Sequence, residues 1–420
     1  MPDVYLTCIQ TKKFKSSYWS LRLITPLDKT TAAMNAVLPR VLRRGTASCP
    51  DQEQLAAALD DLYGGVIEPV VTKRGETHCF GFAATFLDDG LVPEGVSQLD
   101  KAAHLLGDLL LRPATRNGRL RSDYVNSERM NLINEIKGAI NDKRQYAVTR
   151  LVETMCAEEP FGIDRLGTLD MAEKINVTRL NQYYHNLLST ARVEVYYCGS
   201  ASVKRVEQAW REALMDLPRQ GGACEPATHW RIEPTERKDF VERLDVTQGK
   251  LAMGFRTGCT LSSLRYPALV VANALFGGTP SSKLFQNVRE KLSLCYYASS
   301  MLDKHKGLMV VHSGVRFEDF QRAEEEILTQ LEAVQRGDFT DEELNAAKKA
   351  TASSFRTIPD SQGSQEDYWL SQSVSELQIS PQELAQMLEN VSRDQVIEAA
   401  SKWKLDTVYY LKGLEGGDES

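Results

Sequence analysis

Between residues 34 and 42 the apolar side chains Met34, Val37, Leu38, Val41 and Leu42 fall at i, i+3, i+4, i+7 and i+8, one stripe of an α-helix. Gly45 is then expected to supply the left-handed residue that commonly ends a helix. Pro39 breaks the pattern. Inside a helix it deletes a backbone hydrogen bond and crowds the preceding turn, costing about 3 kcal/mol unless the helix kinks or begins close by. A second apolar helical run, PALVVANALFGGT (267–279), ends like the first, MNAVLPRVLRRGT (34–46), in Gly-Thr. Beyond each run the pattern changes to period two. DLYGGVIEPVVTKRGETHCFGF (61–82) and SLCYYASSMLDKHKGLMVVHSG (293–314) each read as an apolar strand, a basic turn ending in Gly and a second apolar strand, so each half carries a hairpin.

The offset of about 232 residues is too long for a solenoid and reads as a duplicated domain. Each hairpin is followed by a long amphipathic helix (about 94–111; about 317–335), and then by a second that starts near 119–125 or 339–345. Each half closes on a strand, 192–199 or 407–413. Between the halves, DLPRQGGACEPATHWRIEPTE (216–236) is rich in Pro and Gly and aperiodic, as a linker is. The expected organisation is a first domain over 1–217, a linker over 218–236 and a second domain over 237–420. Hairpins with interspersed helices predict an α+β fold: two tandem homologous domains, each an antiparallel-rich sheet covered by helices. EGGDES (415–420) is expected to fray.

Composition narrows the function. With 420 residues, 42% of them hydrophobic and 25% charged, the chain is expected to fold around at least two cores. A net charge of -7 argues against nucleic acid or an anionic membrane as the main partner. The N-terminal stretch has no apolar signal core, and the densest apolar run, HLLGDLLL (104–111), is too short to span a bilayer. Eight cysteines (8, 49, 79, 156, 198, 224, 259, 295) are scattered singly, which suits free thiols in a cytoplasmic protein. The six histidines (78, 104, 185, 229, 305, 312) include no pair three or four apart, so none forms a metal-spacing motif. There is no G-x-S-x-G elbow, no phosphate loop and no dinucleotide turn, and GGTPSSK (277–283) lacks the glycine such a loop places before its lysine.

Registered on Arg44-Gly45-Thr46, the first helical run resembles the zinc helix of the M16 (pitrilysin-type, inverzincin) peptidases, where His-x-x-Glu-His precedes a short apolar stretch and Lys-Gly-Thr. The first His falls at Ala36, the catalytic Glu at Pro39 and the second His at Arg40. Alanine and proline side chains carry no donor atom, and a guanidinium is cationic, so this set can neither hold zinc nor activate water. SERMNLINEIKGAINDK (127–143) is similar to the family's third-ligand helix. Glu135 stands at the ligand position, with Glu128 two turns before it on the same face. A lone carboxylate cannot hold zinc, so pairing of both glutamates with nearby bases is the plainer reading.

SSKLFQNVREKLSLCYYASS (281–300) resembles the C-domain motif of the same family, whose Arg and Tyr, seven residues apart, reach toward the substrate. Arg289 and Tyr296 match. Peptide hydrolysis builds negative charge on a tetrahedral oxygen, and a phenol or guanidinium aimed at that oxygen stabilises it. EEPFGIDRLGTLDMAEKI (158–175) and GKLAMGF (249–255) extend the likeness over nearly the whole chain. The pattern is most similar to the non-catalytic chain of bacterial two-chain M16B peptidases, of the YfmF/YmfF-like group. That resemblance implies a mitochondrial processing peptidase-like fold and no cofactor in this chain, with zinc held by a catalytic M16 partner in a heterodimer. It also implies an unfolded peptide as substrate, Arg289 and Tyr296 acting in trans, and homodimers as an option for the chain alone. The competing reading is a scaffold or binding protein of the same fold with no part in proteolysis.

Overall fold

The computed structural model describes residues 1–93, 97–219, 222, 225–231, 234 and 236–414. Part of the expected linker (220–221, 223–224, 232–233 and 235), with Cys224, and the tail 415–420 lie outside the described residues. The described residues between 218 and 236 carry no helix or strand.

Two compact units form. The first comprises residues 1–138, 163–227 and 362–370; the second comprises 139–162, 228–361 and 371–420. The division near residue 227 falls within the aperiodic stretch, but the units are not two contiguous halves. Each takes one short segment from the other half of the sequence.

The first unit holds a five-stranded sheet of β1 (Val4–Gln10), β2 (Ser16–Pro26), β3 (Val66–Arg74), β4 (Thr77–Leu87) and β5 (Arg192–Gly199), in the order β1-β5-β2-β4-β3. Only β1 and β5 run parallel; every other neighbour is antiparallel. On β2, Trp19, Leu21 and Leu23 share one face, as period two requires, and join a core with Val37, Leu38, Phe80, Phe82 and Leu106. Helix α1 (Ala32–Leu42) lies in that core, continues through Pro39 and ends without a left-handed residue; Gly45 has no positive φ and is glycine for packing, since a Cβ there would stand 2.7 Å from the Cys49 carbonyl oxygen. Nine of its eleven residues are buried, so apolar packing offsets the proline's lost hydrogen bond. Helix α2 (Ser122–Gly138) packs against α1.

The second unit repeats the plan with β6 (Lys238–Arg243), β7 (Gly249–Arg256), β8 (Cys295–Asp303), β9 (Leu308–Val315) and β10 (Lys404–Lys412), in the order β6-β10-β7-β9-β8. Again only the first and last strands of the unit, β6 and β10, run parallel. Strand for strand this is the topology of the first sheet.

The exchanged segments cover equivalent faces. In the second unit, helix α3 (Lys143–Met155) lays Ala147, Val148 and Leu151 on Ala252, Val310, Tyr409 and Leu411. Gly254 is glycine for a packing reason: a Cβ there would stand 2.6 Å from Met155 Sδ. In the first unit, Gln362–Leu370 opens helix α4 (Gln362–Val374) and meets the polar face of β2, where Arg22 pairs with Glu366 at 3.0 Å. The counterpart in the second unit is Arg256 of β7, held by Glu159 at 2.6 Å and Asp406 at 2.7 Å, with Lys306 2.7 Å from Glu159. Burial raises the Glu159 pKa, but hydrogen bonds from Arg256 and Lys306 outweigh it and hold the carboxyl below its ordinary value.

Candidate functional site

The residues at the metal-motif positions come together in the first unit. Ala36 and Pro39 are buried in the wall formed by α1. Arg40 leaves that wall and reaches α2, where its Nη2 donates to Glu135 Oε2 at 2.6 Å. The other Glu135 oxygen is 4.0 Å from Arg165 Nη2. In the turn just past the end of α1, Arg44 donates to Glu128 Oε1 at 3.0 Å, and Asn131 donates to Glu128 Oε2 at 3.1 Å. The Arg44 and Arg121 guanidinia lie over the Tyr124 ring at 5.1 and 4.1 Å. Both carboxylates are therefore engaged by cations of this same chain.

The donor set decides the fit to zinc. Of the positions the motif would use, only Glu135 presents a ligating oxygen, and Arg40, in the place of a ligand, brings a positive charge to it. The site does not fit the metal. Among the described residues no three His, Cys, Asp or Glu side chains are grouped to hold one.

A buried network stands behind this wall. Asn35, next to Ala36, contacts His78 Nδ1 at 3.1 Å and accepts from the Tyr183 hydroxyl at 2.7 Å. His78 Nε2 lies 3.0 Å from the carbonyl of Arg165, which fixes the tautomer: Nε2 carries the proton and Nδ1 accepts from Asn35. Burial pushes the His78 pKa down to about 4, so the ring is neutral at physiological pH. Its effect is to pin the segment that carries Arg165. The sequence offered only an isolated histidine here, because its partners lie 43 and 87 residues away.

Arg289 and Tyr296 lie in the second unit, and both line one concavity of about 460 Å³ with Glu290, Ser293, Leu294, Cys295 and Arg316. Three backbone irregularities place them there. Leu284–Lys291, which carries Arg289, is wound as a π-helix, with Leu292 N–H bonded to the Asn287 carbonyl at 3.1 Å. Such turns are rare and are found frequently at functional sites. Ser293 then takes a positive φ of 50°, and the β8–β9 register slips between Cys295 and Tyr297. A bulge re-aims the side chain it carries, and Tyr296 is 68% exposed. Its neighbour Tyr297 instead lies under Arg144 at 4.4 Å, and burial pushes its hydroxyl up to about 12. The Arg289 guanidinium lies over the Phe285 ring at 4.5 Å, and its Nε is 3.5 Å from Glu290. Arg316 also lines the concavity and was not singled out from the sequence; it is held by Glu318 and Asp319 at 2.8 and 2.7 Å.

A larger hollow of about 620 Å³ opens elsewhere in the second unit, lined by Leu264, Leu377, Ile379 and Met387. Its Arg265 and Glu398 pair with each other at 3.6 Å. It lacks the donor pair that distinguishes the Arg289 concavity.

A family model described as the peptidase M16 inactive domain matches residues 174–351. The chain is 32% identical over 408 residues to the Bacillus subtilis (strain 168) protein named "Probable inactive metalloprotease YmfF", covering 97% of this chain and 95% of that protein. The chain belongs to the M16 peptidase family. A conserved protein from Enterococcus faecalis V583 superposes on this M16 chain with a TM-score of 0.91 at 25% identity, over 99% of this chain and 98% of that one. The peptidase M16 inactive domain from Pseudomonas fluorescens shares the M16 fold with a TM-score of 0.78 at 15% identity, over 99% and 97% of the two chains. No helix among the described residues is long and apolar enough to cross a membrane.

Proposed function

We propose that this chain is the non-catalytic subunit of a two-chain zinc peptidase. It pairs with a metal-bearing M16 chain, and Arg289 and Tyr296 contribute contacts to the peptide that chain cleaves. The observation carrying this reading is a contrast. The motif positions of the first unit are tied up by Arg40–Glu135 and Arg44–Glu128, while Tyr296 and Arg289 line an open concavity. A phenol O–H and a guanidinium suit the oxygen that gains negative charge as a peptide carbonyl is attacked. A permanent pairing of this kind buries at least ~2,000 Å². The substrate class is an unfolded peptide, and a cytoplasmic location is in keeping with the seven described cysteines, all free thiols.

The test is reconstitution. Purified alone, the chain is expected to bind no stoichiometric zinc and cleave no peptide. Mixed with a catalytic M16 chain it should co-elute and support cleavage. Cleavage that is indifferent to Tyr296→Phe and Arg289→Ala in the mixed complex would leave a scaffold of M16 fold as the better reading.

A further inference from the structure

Strand β3 ends the first sheet, so one of its sides has no strand neighbour among the described residues. An edge of this kind is a template on which an extended peptide, or a second copy of the chain, adds a strand. The register across β3–β4 shows what it presents. Pro69 pairs with Phe82. Antiparallel pairs alternate between those that exchange hydrogen bonds and those whose backbone groups point away from each other. Proline has no N–H, so the Pro69 pair is of the second kind, and the backbone groups of Ile67, Pro69, Val71 and Lys73 face the free edge.

The outward carbonyls are largely used up. The Ile67 carbonyl accepts from Arg43 Nε at 2.8 Å, the Val71 carbonyl from Arg165 Nη1 at 3.4 Å, and the Lys73 carbonyl from Arg74 Nη1 at 3.5 Å. Three of the four outward carbonyls are thus occupied, and at Pro69 one of the four outward donors does not exist. The Arg165 guanidinium also stands beside Glu135, and the Arg165 carbonyl is held by His78. The degenerate motif and the edge are therefore braced by the same residue.

We infer that β3 is a sealed edge: this chain takes neither an extended peptide nor a second copy of itself as an added strand on its first sheet. Combined with the function proposed above, on which this corollary alone rests, it assigns main-chain gripping of the peptide to the partner. This chain is left with side-chain contacts from Arg289 and Tyr296.

The test uses the chain alone, so its outcome is separable from that of the reconstitution. Amide exchange is followed residue by residue with and without a short peptide of alternating valine and threonine flanked by lysines. In the native chain, the amides of Ile67, Val71 and Lys73 should exchange at the same rate with and without peptide. A variant carrying Arg43→Ala, Pro69→Thr and Arg165→Ala, folded by circular dichroism, should gain ~10-fold slowing there with peptide, or concentration-dependent dimers. Peptide-dependent slowing at Ile67 and Val71 in the native chain would overturn the inference, as would a folded triple variant indistinguishable from the native chain. If the variant does not fold, the native measurement decides by itself.

Discussion

The two units are the same topology used for different ends. In both, the first strand runs parallel to the last, and the central strand carries a buried arginine that meets a glutamate from the exchanged segment: Arg22–Glu366 and Arg256–Glu159. They part at equivalent edge strands. In the first unit the edge β3 is closed by Pro69 and three arginines, and the helix just before it, Gln52–Asp60, is a regular α-helix with Leu55 and Leu59 buried in the core. In the second unit the approach to edge β8 is irregular, with a π-wound segment, a positive φ and a bulge in succession, and it ends with a solvent-facing tyrosine. Duplication preserved packing. The divergence lies in a π-wound segment and a bulge on one side and in arginines on the other, for Tyr63 before β3 takes a positive φ much as Ser293 does before β8.

The deepest shared feature offers the largest effect. Glu159→Ala would leave Arg256 and Lys306 buried with one carboxylate between them, and should cost the second unit about 3–5 kcal/mol by urea denaturation. Glu366→Ala should cost the first unit a similar amount, through Arg22. A large loss in one unit only would mean the two pairs do not have equivalent roles. Next comes the contrast in chemistry: in a cleaving mixed complex, Tyr296→Phe or Arg289→Ala should lower kcat/KM by about 10²-fold, with unchanged melting temperature.

A pH prediction separates the units further. Because burial holds His78 near 4, the folded state refuses a proton that the unfolded chain accepts below its ordinary value of 6.5. The contribution is complete above that value and is lost progressively as pH falls toward 4. At pH 5 the first unit should be weaker by on the order of 2 kcal/mol from this residue, and His78→Gln should flatten the slope. The smallest effect is expected at the old motif. Arg40→Ala breaks a bridge whose side chains are 21% and 40% exposed, and should cost less than about 1 kcal/mol. It should leave cleavage by a mixed complex unchanged.

Periodicity made the apolar helix, both hairpins and the closing strands legible, because each is written in local spacing. Gly-Thr endings and basic turns marked the repeat. Strands β1, β2 and β6 carry no such local signal, although β2 is central. Both of its faces are buried, so SSYWSLRLITP lacks a clean alternation of apolar and polar residues. The apolar spacing of 267–279 predicts one helix, but the run passes from α to π at Ala274, a change too small to disturb that spacing. At the candidate site, the loss of ligands at Ala36, Pro39 and Arg40 could be read directly, since it depends on side-chain chemistry alone. The pairing of Arg40 with Glu135 could not, because it joins positions 95 apart that only the packing of α1 on α2 brings together. Arg43, Arg165 and Pro69 gave no signal for the same reason: their meaning depends on which way a backbone group faces.

The exchanged segments also mean that the halves separated by residue 227 are not independent folding packages. A polypeptide ending there would keep Arg22 in its central strand but lose Glu366, and with it Gln362, whose side chain donates to the Ser16 and Cys198 carbonyls at 2.9 Å. Ribosomal synthesis therefore finishes the first sheet's sequence long before its last brace emerges, so the nascent first unit has to wait for more than a hundred further residues to complete itself.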